Sequence, residues 1–208
     1  MKKSFISALV VVAISLPLYA ELPEKAKDEF ATRFQKSKSE TGKTYEIRQV
    51  GTVLVTVKED LPAALDRPSQ AEIMPIRPDQ TTAGPQASRR GQARVHIRNG
   101  KLSSSDVVHD LLLPVGTLLG IVDIDFAHDS IVLWVRTLTD HEHDPEVFGR
   151  GKRVAGRASS KIRFYVDPKV LKAGDLPAIY RIIEEWVRPY DSMAAAEMAS
   201  REIVMRKP

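Results

Sequence analysis

The chain has 208 residues, 43% of them hydrophobic, with 31 Lys and Arg against 27 Asp and Glu. That length suits one domain with its own packed core, and so even a charge balance gives no global argument for a nucleic-acid or membrane-surface partner. Cysteine is absent, which excludes disulfide staples, thiol redox chemistry, thiolate metal sites and a lipid-modified cysteine anchor.

Met1-Lys2-Lys3 is a short positive start, and Phe5 to Leu18 is apolar except for Ser7, Ser15 and Pro17. Leu16-Pro17-Leu18-Tyr19-Ala20 then supplies a helix breaker and a small residue before Glu21, although Leu18 stands where a second small residue is usual. This order is that of a secretory signal cut near Ala20. The apolar stretch is short for a bilayer, which takes ~20 residues, so no stable membrane span is expected after cleavage. A periplasmic or extracellular location follows. Lys2 and Lys3 leave with the leader, which brings the remainder closer to neutrality.

Residues 21–42 read as an amphipathic helix or a tail. Phe30 and Phe34 lie four apart, on one helical face, between Pro23 and Gly42. Residues 44–58 read as a strand of alternating Val and Thr, bent or bulged at Gly51. Pro62, Pro68, Pro75, Pro78 and Pro85 make 59–91 a long loop, with a short strand at 71–74. Ala93 to Arg98 alternates apolar with polar, a strand with one wet face, and Asn99-Gly100 is a turn. Residues 106–138 are the core: Thr117–Phe126 and Ile131–Leu138 form a hairpin across 127–130, apolar enough to be covered on both faces. Lys161 to Val166 is another alternating strand. Asp175 caps a helix with Pro177 in its first turn, its face carrying Ile179, Ile182, Ile183 and Trp186, and Pro189 ends it. Asp191 or Ser192 caps a last helix of strong helix formers. Val50-Gly51-Thr52 and Val115-Gly116-Thr117 read as two similar lead-ins to strands.

The domain plan is thus a signal peptide (1–20), an N-terminal helix or tail (21–42), a β-rich core (43–190) and a C-terminal helix (191–208). The fold class is α+β: a small antiparallel β-barrel or curled sheet with an N-terminal helix and one or two C-terminal helices. The blocks at 50–63, 114–138 and 161–186, VGTVLVTVKEDLPA, PVGTLLGIVDIDFAHDSIVLWVRTL and KIRFYVDPKVLKAGDLPAIYRIIEEW, together resemble small, uncharacterised exported bacterial proteins. The resemblance implies a β-barrel-like core closed by a C-terminal helix, and it implies no activity.

The candidate chemistry is sparse. His141 and His143, flanked by Asp140, Glu142 and Asp144, share one side of an extended segment and suit zinc, copper or nickel. A further ligand would come from His128 or Asp129. Asp123, Asp125 and Asp129 flank the hairpin turn, but the glycine of a calcium loop is missing, so they read as a hydrated strand end. Arg150, Lys152, Arg153 and Arg157 begin a basic run that continues to Lys161 and Arg163 and suits an anionic partner. Trp134 and Tyr165 lie nearby in sequence without an interleaved stacking platform, so no nucleic acid is expected. Trp186 belongs to the apolar stripe and reads as core. Gly-x-Ser-x-Gly, Walker and dinucleotide patterns are absent, and no cofactor is expected. The sequence therefore supports an exported, non-enzymatic binding or structural module of the cell envelope, its loops 59–91 and 149–160 meeting an envelope protein or glycan. A metal-binding protein or metal-dependent enzyme using His141 and His143 is the alternative. An envelope hydrolase with carboxylates scattered along the chain is a third.

Overall fold

Alternating strands must hide one face each, and this chain hides them by curling its sheet around a helix. The computed structural model describes residues 21–39, 47–65, 93–103, 111–143 and 154–206. Seven strands lie side by side in the order β13 (Val187–Tyr190), β3 (Val53–Thr56), β8 (Leu118–Ala127), β9 (Ser130–Thr137), β12 (Ala158–Tyr165), β4 (Leu61–Leu65) and β7 (Leu111–Leu113). β5 (Ala93–Arg98) also pairs with β12, and β6 (Lys101–Ser103) pairs with β5. Two small hairpins complete the β structure: β1 (Lys38–Ser39) with β2 (Ile47–Gln49), and β10 (His141–His143) with β11 (Val154–Gly156). The helices among the described residues are α1 (Glu24–Arg33), α2 (Pro168–Ala173), α3 (Leu176–Glu184) and α4 (Met193–Met205). The result is the expected α+β class, a curled half-barrel with an N-terminal helix and C-terminal helices. One pairing departs from the antiparallel expectation: β5 runs parallel to β12.

The concave side is filled by aromatic packing. Phe30 and Phe34 are fully buried and stack with ring centroids 4.6 Å apart. Phe126 of β8 meets Phe30 edge-on at 5.5 Å, and Tyr180 of α3 closes the group at 5.9 Å. Such pairs add to what burial of the rings already contributes. Arg33 ties α1 to α3 by pairing with Glu184 and lying over the Tyr180 ring at 4.4 Å. α3 is placed by its cap, with the Asp175 carboxylate accepting from the Ala178 N–H at 3.2 Å, and it buries Ile179 and Ile183. α4 starts at Ser192, whose hydroxyl accepts from the Ala195 N–H. This helix covers the other side of the sheet at its β13–β3–β8 end, where Ala196 is buried against Val53 and Val55.

A bulge explains the near-continuous apolar run of β8. The register slips between Ile121 and Asp123. The extra residue resets the alternation, so Ile121 before it and Ile124 and Phe126 after it all pack on the concave core. β9 is covered on both faces over most of its length, as the sequence predicts. The Asn99-Gly100 turn joins β5 to β6 with φ of 52° and 69°, the left-handed pair of a type I′ hairpin.

Four expectations need correction. The N-terminal helix ends at Arg33 rather than near Gly42. The strand over 44–58 is two strands, because a Cβ at Gly51 would collide with the Gln35 and Lys36 carbonyl oxygens that cross there. The loop expected from residue 59 begins later, since Leu61–Leu65 is a buried strand. The Pro62 carbonyl accepts from the Ser160 hydroxyl at 2.8 Å, while the strand expected at 71–74 lies outside the described residues. Helix α3 stops at Glu184, not at Pro189, and Val187–Tyr190 forms an edge strand opposite Leu54 and its neighbours. An edge is where a residue without an N–H is tolerated. The two Val-Gly lead-ins differ as well: Gly116 has φ +85° and sits under α4, with the Ser200 hydroxyl donating to its carbonyl at 2.6 Å.

If the Phe30–Phe34 stack fills the half-barrel, Phe30→Ala costs about 3–5 kcal/mol of unfolding free energy, read by urea denaturation. A loss under about 1 kcal/mol, within the range of surface substitutions and weak contacts, would show that α1 is an appendage and not the core.

Candidate functional site on the outer sheet face

The registers place side chains on the outer face in three rows that cross the strands. The first row runs Asp123 (β8), Trp134 (β9), Lys161 (β12), Arg94 (β5). The second runs Asp125, Val132, Arg163, His96 and Ser103 of β6. In the third, Ser130 pairs with Tyr165, and Arg98 of β5 pairs with Lys101 of β6. The opposite phase of the same strands, including Val95, Ile97, Leu133, Ile162 and Phe164, is core. Alternation therefore drives the charged residues of these rows outward, while Ser130 is buried beside the turn.

The rows are asymmetric in charge. Arg94, Arg98, Lys101, Lys161 and Arg163 gather on β5, β6 and β12, and among the described residues none of them makes an ion pair. The acids stand at the far side, on β8, where Asp123 is taken by Lys36 at 3.0 Å. Two aromatic rings brace the cations. Lys161 Nζ lies 4.3 Å from the centroid of Trp134, and the Arg98 guanidinium lies 4.2 Å from that of Tyr165. The Tyr165 hydroxyl is 3.0 Å from His96 Nδ1, which fixes the ring beneath Arg98. Chemically the surface offers fixed guanidinium and ammonium donors on an open face, the donor set that carboxylates, sulfates and phosphates use.

The structure deals unevenly with the residues singled out from sequence. His141 is half-buried on β10, and its Nε2 is enclosed without a hydrogen-bond partner among the described residues. Burial holds its pKa below the ordinary 6.5, against a smaller opposing pull from Asp140. His143 follows two residues along the strand, and its side chain lies outside the described residues. His128 stands beside Asp129 at 3.8 Å on the β8–β9 turn, and among the described residues no three His, Asp or Glu side chains converge as a metal site. Arg157 reaches Asp140 at 3.8 Å, and with Arg136 and Ile47 they line a polar recess of about 530 Å³. Arg150, Lys152 and Arg153 lie outside the described residues. Trp186 is 5% exposed, as a core residue should be, with Lys58 over its ring at 4.7 Å. It also forms part of a groove of about 610 Å³ with Val115, Ile203 and Arg206.

Sequence reasoning missed Arg94, Arg98 and Lys101, and it did not foresee that Trp134 and Tyr165 would carry Lys161 and Arg98 over their rings. The signal was present: in Arg94-x-His96-x-Arg98 and Lys161-x-Arg163-x-Tyr165 the wet phase holds no acid. What joins the two segments is the parallel pairing of β5 with β12, which local pattern does not encode. Comparison with protein-family models, with curated proteins and with solved structures finds no match to this chain.

His141 gives a pH test. Its lowered pKa means that the unfolded chain takes up a proton first as pH falls. The stability tied to the neutral ring is therefore complete above pH 6.5 and is lost below it, as pH falls toward the folded value. NMR titration is expected to place His141 below 6.5, with a His141→Gln variant losing that part of the acid destabilisation. A resonance titrating at or above 6.5 would show that the ring is not held neutral.

Proposed function

We propose that this chain is an exported, non-enzymatic binding module of the cell envelope, and that it meets an acidic partner with the outer face of β12, β5 and β6. The observation that carries the reading is the gathering of Arg94, Arg98, Lys101, Lys161 and Arg163 on one open face without an ion pair among the described residues. In a chain with nearly matched charges, no acid among the described residues pairs with these cations. Like charges held together destabilise a fold slightly, and an anionic partner removes that cost.

Two further features support the reading. Leu65 and Ala93, the residues that flank segment 66–92, both pair with the first half of β12, opposite Ala158 and Ser160. The loop expected at 149–160 is strand at Val154–Gly156 and again from Ala158, so the basic run from Arg150 continues into β12 with Lys161 and Arg163. The ends of segment 66–92 thus lie beside the cationic strands, on a rigid sheet. The expected signal cut near Ala20 falls just before Leu22, which is 2% exposed in the core. Glu21 pairs with Lys27 at 2.7 Å, so the residues directly after the expected cut are held in the fold.

Export predicts that the protein recovered from the envelope fraction starts at or next to Glu21 by intact mass. A chain that retains Met1 in that fraction would overturn cleavage. Recognition predicts that the exported protein is retained on isolated envelope material and released by salt. An Arg94→Ser/Arg163→Ser variant should lose this retention with its melting temperature unchanged. Equal retention by the variant would remove the outer face from the function.

A further inference from the structure

We infer that the occupant of this face is a linear acidic polysaccharide, one that lies across β12, β5 and β6 with its carboxylate or sulfate groups on Arg94, Lys161, Arg163, Arg98 and Lys101. The inference rests on the binding reading above and names its partner.

The shape of the face selects an extended ligand. The two recesses described above include none of the five cations, and Arg94, Arg98 and Lys101 stand exposed on the sheet surface. The cations instead form a lattice. Neighbours along a strand are two residues apart, about 6.6 Å, and neighbours across strands are about 4.8 Å apart. This spacing is on the scale of one sugar unit, so successive acidic residues of a glycan meet successive cations. Asp123 and Asp125 on β8 repel such a chain and set the limit of the site on that side.

Three features argue against other polyanions. Single-stranded nucleic acid gains from stacking its bases on aromatic faces, but here the faces of Trp134 and Tyr165 carry Lys161 and Arg98. Duplex nucleic acid is a rigid cylinder, and the outside of a curled sheet meets it along few phosphates, whereas a flexible glycan follows the curve. A bilayer surface calls for apolar side chains that enter among the headgroups. The exposed large hydrophobic residues Leu102, Leu112, Met198, Val204 and Met205 do not belong to the three rows of this face. Ser103 and His96 add hydrogen-bonding groups of the kind that sugar hydroxyls use.

The test uses the exported protein with four probes: polyuronate (alginate) oligosaccharides, a neutral glucan, duplex DNA, and vesicles rich in phosphatidylglycerol. Alginate is expected to bind in a salt-dependent way, with the glucan ignored and with DNA and vesicles weaker. Arg94→Ser/Lys161→Ser should weaken alginate binding by about tenfold or more. Arg98→Lys, which keeps the charge, should retain most of it and controls for damage to the fold. Preference for DNA or vesicles over alginate overturns the glycan assignment and leaves an anion-binding face. Failure with all four probes also overturns it. In that case, envelope retention that still depends on Arg94 and Arg163 preserves the broader reading, and retention indifferent to them ends both.

Discussion

The stack of Phe30 on Phe34 is the contact on which the rest of the structure depends. A strongly curled sheet has a concave side too deep for aliphatic side chains of the strands alone to fill. α1 supplies two rings, and Phe126 and Tyr180 complete the aromatic group from the sheet and from α3. The turn that follows α1 is then pinned. The Thr52 hydroxyl donates to the Arg33 carbonyl and accepts from the Gln35 N–H, each at 2.9 Å. Gly51 must lack a side chain because Gln35 and Lys36 cross it. The short linker between β2 and β3 is therefore dictated by the helix, not by its own sequence preference.

Filling one side of the sheet decides the fate of the other. α4 covers the outer face at the β13–β3–β8 end through Ala196, Met193 and Ile203. The main contacts of α4 are with β3, β13 and β8, and β12, β5 and β6 lie at the opposite end. That part of the sheet must present side chains compatible with water, and long cationic ones do this well because their stems shield the flat backbone while their heads stay hydrated. Lys101 on β6 also guards an edge, where charge discourages pairing with another chain. Protection of an exposed sheet would tolerate acids and bases alike. The selection of one sign over three strands is what points beyond protection.

Elements whose form is set locally were legible in the sequence. The caps Asp175 and Ser192, the Asn99-Gly100 turn and the alternation of β5 and β12 depend on a few neighbouring residues. The elements that were not legible take their form from distant partners. Val187–Tyr190 is a strand because Val53–Thr56 lies beside it, although the preceding helical stripe runs on in the sequence through Trp186. Leu61–Leu65 is a strand despite Pro62 because β7 and β12 pair with its two ends. The cationic face belongs to this second group. Each strand contributes one or two cations, which read singly as an ordinary wet phase, and the fold adds them together. The histidine pair drew attention because its residues lie two apart in sequence, yet the fold brings no third ligand to make a metal site among the described residues.

Whether gathered cations bind anything turns on how freely they move. At physiological salt, screening sets in over about 8 Å, longer than the spacing of neighbours on this lattice, so the positive heads feel one another. Mobile side chains would relieve this by spreading apart. Lys161 and Arg98 are held back by the rings of Trp134 and Tyr165, contacts worth about 0.5–1 kcal/mol at exposed sites, and Tyr165 is itself held by His96. The donors are therefore partly ordered before any partner arrives, which lowers the entropy lost on binding. The ring contacts also occupy the surfaces that would welcome a base, so one arrangement raises affinity for a flexible polyanion and lowers it for stacked nucleic acid.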